Sequence, residues 1–225
     1  QIYFHHKPSY MTKIINSLYN LVMLKLFDKF QNNSFSNFSS FSRDLLEAVP
    51  QYNGYVESSR FKQNVNLPLN KMSFSAGLPH FSTGYMRCWG RDTFIAFKGI
   101  FLIPGLYEEA KALLLSFAAV MRHGLIPNLL DSGVNSRYNA RDATWFFMKS
   151  VVDYVEISQD YGFMDENVNM VFLSDDFNEH NNKKSRNDKK YMKVCDIVQE
   201  ILQKHANGIS FREWRAGNAI DSDMT

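Results

Sequence analysis

Cysteine is scarce in this sequence: only Cys88 and Cys195 occur in 225 residues, and their separation matches no metal-binding spacing. That usage fits a reducing compartment, and a cytoplasmic setting is expected. Strong charge of either sign is also lacking. The formal balance of +2 offers no electrostatic reason to propose nucleic acid as a partner. Apolar runs stay well short of the roughly eighteen residues that suggest a membrane span. The apolar stretch 14–30 is interrupted by Asn16, Asn20, Lys25, Asp28 and Lys29, so no membrane partner is expected. Histidines are dispersed apart from His5-His6 near the start, and no metal or other cofactor is expected. The opening residues, Gln1-Ile2-Tyr3-Phe4-His5-His6-Lys7, carry neither an initiator methionine nor a secretory cleavage site.

What the chain does have is helical periodicity. Ile14, Leu18, Leu21, Leu24 and Phe27 recur at helical spacing and predict a helix over 10–31. A polar Asn/Ser/Phe stretch follows to residue 42, then a short helix over 43–48, with Pro50 and Gly54 marking a break. Residues 51–75 read as loop. Further on, helices are predicted over 93–103, stopped by Pro104-Gly105, and over 107–121, 141–161 and 191–206. Residues 174–190 form a polar insert, expected to be solvated, which contains Asp175-Asp176, Lys183-Lys184 and Lys189-Lys190. No convincing strand is apparent. The expected class is all-α, in two regions: a helical and loop segment over 1–75, and a better organised region over 76–225.

Two turns stand out. Trp89-Gly90-Arg91-Asp92 precedes one apolar helical run, and Tyr138-Asn139-Ala140-Arg141-Asp142 precedes another, with Asn128 upstream of the second. The two helices are separated by one that runs the other way, so both should point in the same direction. Asp92 and Asp142 would then lie at the same end. An indole face, an Arg fork and carboxylate acceptors suit the C–H face and vicinal hydroxyls of a sugar. A plainer reading competes with this one. Asp92 or Thr93 could simply cap its helix, and Asn139 with Asp142 resembles a capping box. Trp145, Phe146 and Phe147 are expected in the core. Phe211-Arg212-Glu213-Trp214-Arg215 mixes charge with aromatics, of a kind that is commonly structural.

Several words of this sequence resemble the C-terminal amylo-1,6-glucosidase region of eukaryotic glycogen debranching enzymes. They are Ala76-Gly77-Leu78-Pro79-His80-Phe81, the stretch 87–96, the stretch 122–130, and Arg137-Tyr138-Asn139 with Arg141-Asp142-Ala143. Weaker agreement runs through Gln203-Lys204-His205, Gly208-Ile209, Phe211-Arg212-Glu213 and Ala216-Gly217.

The resemblance implies an (α/α)6 toroid, of which about half the helices would be present. It also implies hydrolysis of the α-1,6-linked glucose left at a trimmed branch point of glycogen or limit dextrin. On that basis Trp89, Arg91, Asp92, Asn128, Tyr138, Asn139 and Asp142 are assigned to substrate binding. The implied chemistry is inverting, with an acid and a base roughly 6.5–9.5 Å apart. The family's acid lies in a Trp-Met-Asp word and its base nearer the C-terminus, so both are expected beyond Thr225. The chain is accordingly expected to be inactive alone and to work with the rest of the glucosidase domain in a longer chain. The whole family enzyme also has a 4-α-glucanotransferase region upstream. Asp92 as general acid is a secondary option, disfavoured by the adjacent Arg91. Two other readings remain, a noncatalytic glucan-binding protein and a helical interaction scaffold.

Overall fold

A computed structural model describes residues 13–15, 17–18, 39–49, 53–54, 73–74, 87–131, 135–171, 191–209, 211–213 and 222–224. The chain divides into two compact units, Gln1–Pro50 and Gln51–Thr225. In the first, residues 13–15 and 17–18 are helical; the rest of the helix expected over 10–31 lies outside the described residues. Helix α1 (Ser40–Ala48) starts earlier than its apolar pattern suggests, because the Ser42 N–H donates to Ser39 Oγ at 3.2 Å. A serine in that position satisfies one of the helix's orphan donors.

The second unit is mostly helical, with small antiparallel sheets. Strands β1 (Asn53–Gly54) and β2 (Ser73–Phe74) pair within the region expected to be loop. Strand β3 (Arg87–Trp89) runs directly into helix α2 (Gly90–Phe97), which widens into a π-helical turn at Lys98–Leu102. Helix α3 (Tyr107–Ala118) follows. Strands β4 (Leu129–Asp131) and β5 (Asn135–Arg137) then pair antiparallel, and β3 joins β4 to complete a three-stranded sheet. Helix α4 (Asp142–Ser158) leaves this sheet and ends in a 3-10 turn at Tyr161–Asp165. Strand β6 (Asn167–Asn169) pairs with β7 (Tyr191–Lys193), and β7 leads into helix α5 (Val194–Asn207). Strands β8 (Phe211–Glu213) and β9 (Ser222–Met224) form a last pair.

These sheets correct the expectation of a strandless chain. Each strand is two or three residues long, too short to display a period of two. The partner of β3 lies across two helical segments, where no local pattern can announce it. The same effect moves the start of the helix expected over 191–206 to Val194. The insert at 174–190 and the pairs within it, together with His5-His6 and Trp214-Arg215, lie outside the described residues.

A phenylalanine cluster forms the core beneath α2 and α4. Phe94 meets Phe117 at 4.8 Å and Phe147 at 5.2 Å between ring centroids, both edge-on, and Phe97 meets Phe101 at 5.4 Å. Edge-to-face pairs of this kind contribute about 0.5–1.5 kcal/mol each beyond their area. Helix α3 is buried along nearly all of its length, from Ala110 onward. Phe147 is buried as expected, but Trp145 is 47% exposed and packs its ring 4.6 Å from that of His205 on α5. The core expectation for Trp145 is therefore corrected. It shares a helix face with the exposed Asp142, three residues earlier, and turns away from the Phe147 stripe.

The C-terminal end of α4 carries a polar cluster. Lys111 Nζ lies 3.0 Å from Asp160 Oδ2 and 2.6 Å from Glu166 Oε1, while Tyr154 donates its hydroxyl to Asp160 Oδ2 at 2.9 Å. Burial pulls the Lys111 ammonium down, but the Glu166 and Asp160 carboxylates outweigh it, leaving its pKa raised. Burial pushes Asp160 up, yet the hydrogen bonds from Lys111 and Tyr154 leave it below its ordinary value. Burial and Asp160 together drive the Tyr154 phenol well above its usual range. Among the described residues no helix is long and apolar enough to cross a membrane. Among those residues no three His, Cys, Asp or Glu side chains gather as a metal site.

Candidate functional site

Helices α2 and α4 lie side by side and run the same way. Arg91 at the head of α2 faces Asp142 at the head of α4, while further along Ser150 Oγ donates to the Phe94 carbonyl at 3.3 Å. The antiparallel α3 between them in sequence makes this possible. Asp92, one residue beyond Arg91, is exposed at that same end. Arg91 Nη1 approaches Asp142 Oδ2 at 3.3 Å, with the two side chains 44% and 51% exposed. An exposed pair of this length contributes only about 0–1 kcal/mol. Its value is geometric: it joins two turns that are fifty-one positions apart in the chain.

Neither helix is capped by a side chain. The N-cap residues are Trp89 for α2 and Arg141 for α4, and neither makes a side-chain cap hydrogen bond. The N-cap positions are therefore not the Asp92, Thr93 or Asn139 that the capping alternative named. Both aspartates sit in first turns, where the helix dipole favours a carboxylate.

The segment leading into β4 is held between the two helix heads. Gly90 donates its N–H to the Asn128 carbonyl at 2.6 Å, and Asn128 donates its own N–H to the Arg137 carbonyl at 2.8 Å. The reason for glycine at position 90 is close approach. A Cβ there would lie 2.2 Å from the Pro127 carbonyl oxygen and 3.1 Å from a Phe117 ring carbon. The Asn128 side chain is consequently enclosed, at 5% exposure. Its Nδ2 reaches Asn139 Oδ1 at 3.5 Å, and its Oδ1 has no hydrogen-bond partner among the described residues. Asn139 is exposed and Trp89 is half-buried at the start of α2.

Tyr138 stands apart from the other six. It is 3% exposed, and its hydroxyl donates to the Val120 carbonyl at 2.5 Å. That bond ties the strand β5 exit to the end of α3. One residue escaped sequence reasoning. Thr144 in the first turn of α4 is fully buried, and its Oγ1 accepts the Ile126 N–H at 2.9 Å. The available signal was a hydroxyl on the apolar stripe of α4, between Ala143 and Phe147.

The arrangement is an open rim of a carboxylate paired with a guanidinium and an exposed amide, with a second amide enclosed behind it and the exposed Asp92 next to Arg91 in the chain. Such a set accepts and donates several hydrogen bonds to neighbouring hydroxyls. Comparison with known proteins gives the arrangement a context. Residues 47–224 match the family described as Amylo-alpha-1,6-glucosidase. The chain is also 42% identical over 231 residues to the glycogen debranching enzyme of Saccharomyces cerevisiae, an alignment covering 97% of this chain. It spans only 14% of that relative's length.

Proposed function

This chain belongs to the amylo-alpha-1,6-glucosidase family, and we propose that it supplies the glucose-binding part of a debranching active site. The substrate is an α-1,6-linked glucose on a trimmed branch of glycogen or limit dextrin, and the setting is cytoplasmic. The observation that carries this reading is the enclosed Asn128 Oδ1, without a hydrogen-bond partner among the described residues, beside the bridged first turns of α2 and α4. A buried acceptor left without a donor costs about 1–3 kcal/mol, and a sugar hydroxyl provides the donor.

Asp92, Asp142 and Asn139 take hydroxyls at the rim, and Arg91, beside Asp142, donates to ring or glycosidic oxygens. Trp89 offers an apolar indole face to the sugar's C–H side. Tyr138 braces the turn from below through Val120. The reaction is hydrolysis with inversion, which requires an acid and a base on opposite sides of the scissile bond. Neither role is assigned to this chain. Asp142 is an exposed carboxylate in an ion pair, an arrangement suited to accepting hydrogen bonds. The parallel α2 and α4, joined by the antiparallel α3, are the repeating unit expected of a helical toroid completed by further chain.

Titration with a maltooligosaccharide bearing a single α-1,6-linked glucose tests this. The expected result is saturable binding without glucose release. Asn128→Ala and Asp142→Asn should each weaken binding about tenfold, as loss of one or two hydrogen bonds implies. Equal affinity in wild type and both variants refutes the site, and glucose release by the chain alone refutes the assignment of acid and base elsewhere.

A further inference from the structure

Ile126 and Asn128 lie on the segment that enters β4, and Ile126 precedes the ladder that starts at Leu129. Its N–H is buried within a residue of 0% exposure and takes Thr144 Oγ1 as acceptor at 2.9 Å. Thr144 is equally buried and lies two residues past Asp142, in the first turn of α4. Among the described residues, a single side-chain hydrogen bond therefore connects the helix carrying Asp142 to the segment carrying Asn128. On the far side of that segment, Gly90 N–H grips the Asn128 carbonyl from α2. Removing the hydroxyl would leave the buried Ile126 N–H without this acceptor and let the segment shift against the first turn of α4, while Ser150 and Phe147 keep the helix itself on α2; the exposed Arg91–Asp142 contact is too weak to restore the spacing.

We propose that Thr144 is a positioning residue, setting the separation of Asp142 from Asn128 by standing in for a strand carbonyl at Ile126. The proposal rests on the glucose-binding reading of the site. Thr144 itself touches no sugar. A merely structural threonine would alter stability alone, whereas a positioning one alters affinity through its acceptor oxygen.

Thr144→Val keeps the shape and deletes the acceptor, and Thr144→Ser restores it. Lys111→Met, on α3 and paired with Asp160 and Glu166 beyond the far end of α4, serves as a control for lost stability. Two quantities are measured on the 225-residue chain: exchange protection of the Ile126 amide, and affinity for the singly branched maltooligosaccharide. Thr144→Val should lose the protection and weaken binding by about tenfold, with Thr144→Ser within about twofold of wild type on both. Lys111→Met should retain affinity despite its lower stability. Lost protection with unchanged affinity in Thr144→Val overturns the positioning role alone, as does failure of serine to rescue. A wild-type chain that protects Ile126 but binds no branched oligosaccharide sinks the glucose-binding reading and this proposal together.

Discussion

Gly90→Ala sets two effects of opposite sign against each other. Helix propensity favours alanine by about 0.5–1 kcal/mol, and Gly90 is the first residue of α2. Packing opposes it. The new methyl would meet the Pro127 carbonyl oxygen at 2.2 Å, the Pro127 carbonyl carbon at 3.3 Å and Phe117 at 3.1 Å. Ordinary contact lies near 3.5 Å, so the head of α2 must retreat by roughly 1 Å. Neither neighbour yields easily, since one is backbone and Phe117 has no exposed surface.

That retreat stretches the 2.6 Å bond from Gly90 to the Asn128 carbonyl, forfeiting about 1 kcal/mol. Overpacking adds about 1–3 kcal/mol. The expected balance, after the propensity gain is subtracted, is destabilisation by about 1–3.5 kcal/mol. Urea unfolding should show a lower midpoint with an unchanged slope. A midpoint equal to or above wild type would refute the close approach, and with it the shared frame that places Asn128 between the two helix heads.

Two further perturbations probe the rest of the unit. Phe147→Ala empties a fully buried site edge-on to Phe94 and should cost about 3–5 kcal/mol in urea unfolding; a loss below about 1 kcal/mol would contradict the aromatic core. Lys111→Met should destabilise by about 1–2 kcal/mol, discounted for the partial exposure of its partners. Its pH dependence has a definite sign. Asp160, depressed in the fold, contributes above its unfolded value of 3.8, and that contribution is lost as pH falls through the folded pKa. Lys111, raised in the fold, contributes fully below its unfolded value of 10.5 and loses this as pH rises through the folded pKa. The stability gap between wild type and variant, from thermal melts across pH, should therefore be a plateau that shrinks at both extremes. A gap independent of pH would refute the network.

The helices were legible because their cause is local. Leu113, Leu114 and Phe117 on α3 recur at helical spacing and are all buried. The parallel course of α2 and α4 followed from the single helix between them. The strands were not legible, since β3 finds β4 only after α2 and α3 have folded back. Trp145 misled for a related reason. Its hydrophobicity is a property of the residue, whereas its exposure depends on which way α4 is rolled, and the Phe94–Phe147 contact decides that.

At the site the division falls between chemistry and partnership. The residue types in two Arg-Asp turns, and their places at the heads of apolar helices, were determined by the sequence and pointed to hydroxyl recognition before any coordinates. Which carboxylate Arg91 meets was not. Its neighbour Asp92 is adjacent in the chain, yet the fold carries the guanidinium to Asp142. Tertiary structure alone also enclosed Asn128, set Thr144 against the Ile126 amide and placed Trp89 and Arg141 at the N-caps. Periodicity is encoded in neighbouring residues and survives in a string of letters. Hydrogen bonds across a long loop depend on where two rigid elements come to rest, and only the packed phenylalanine core settles that.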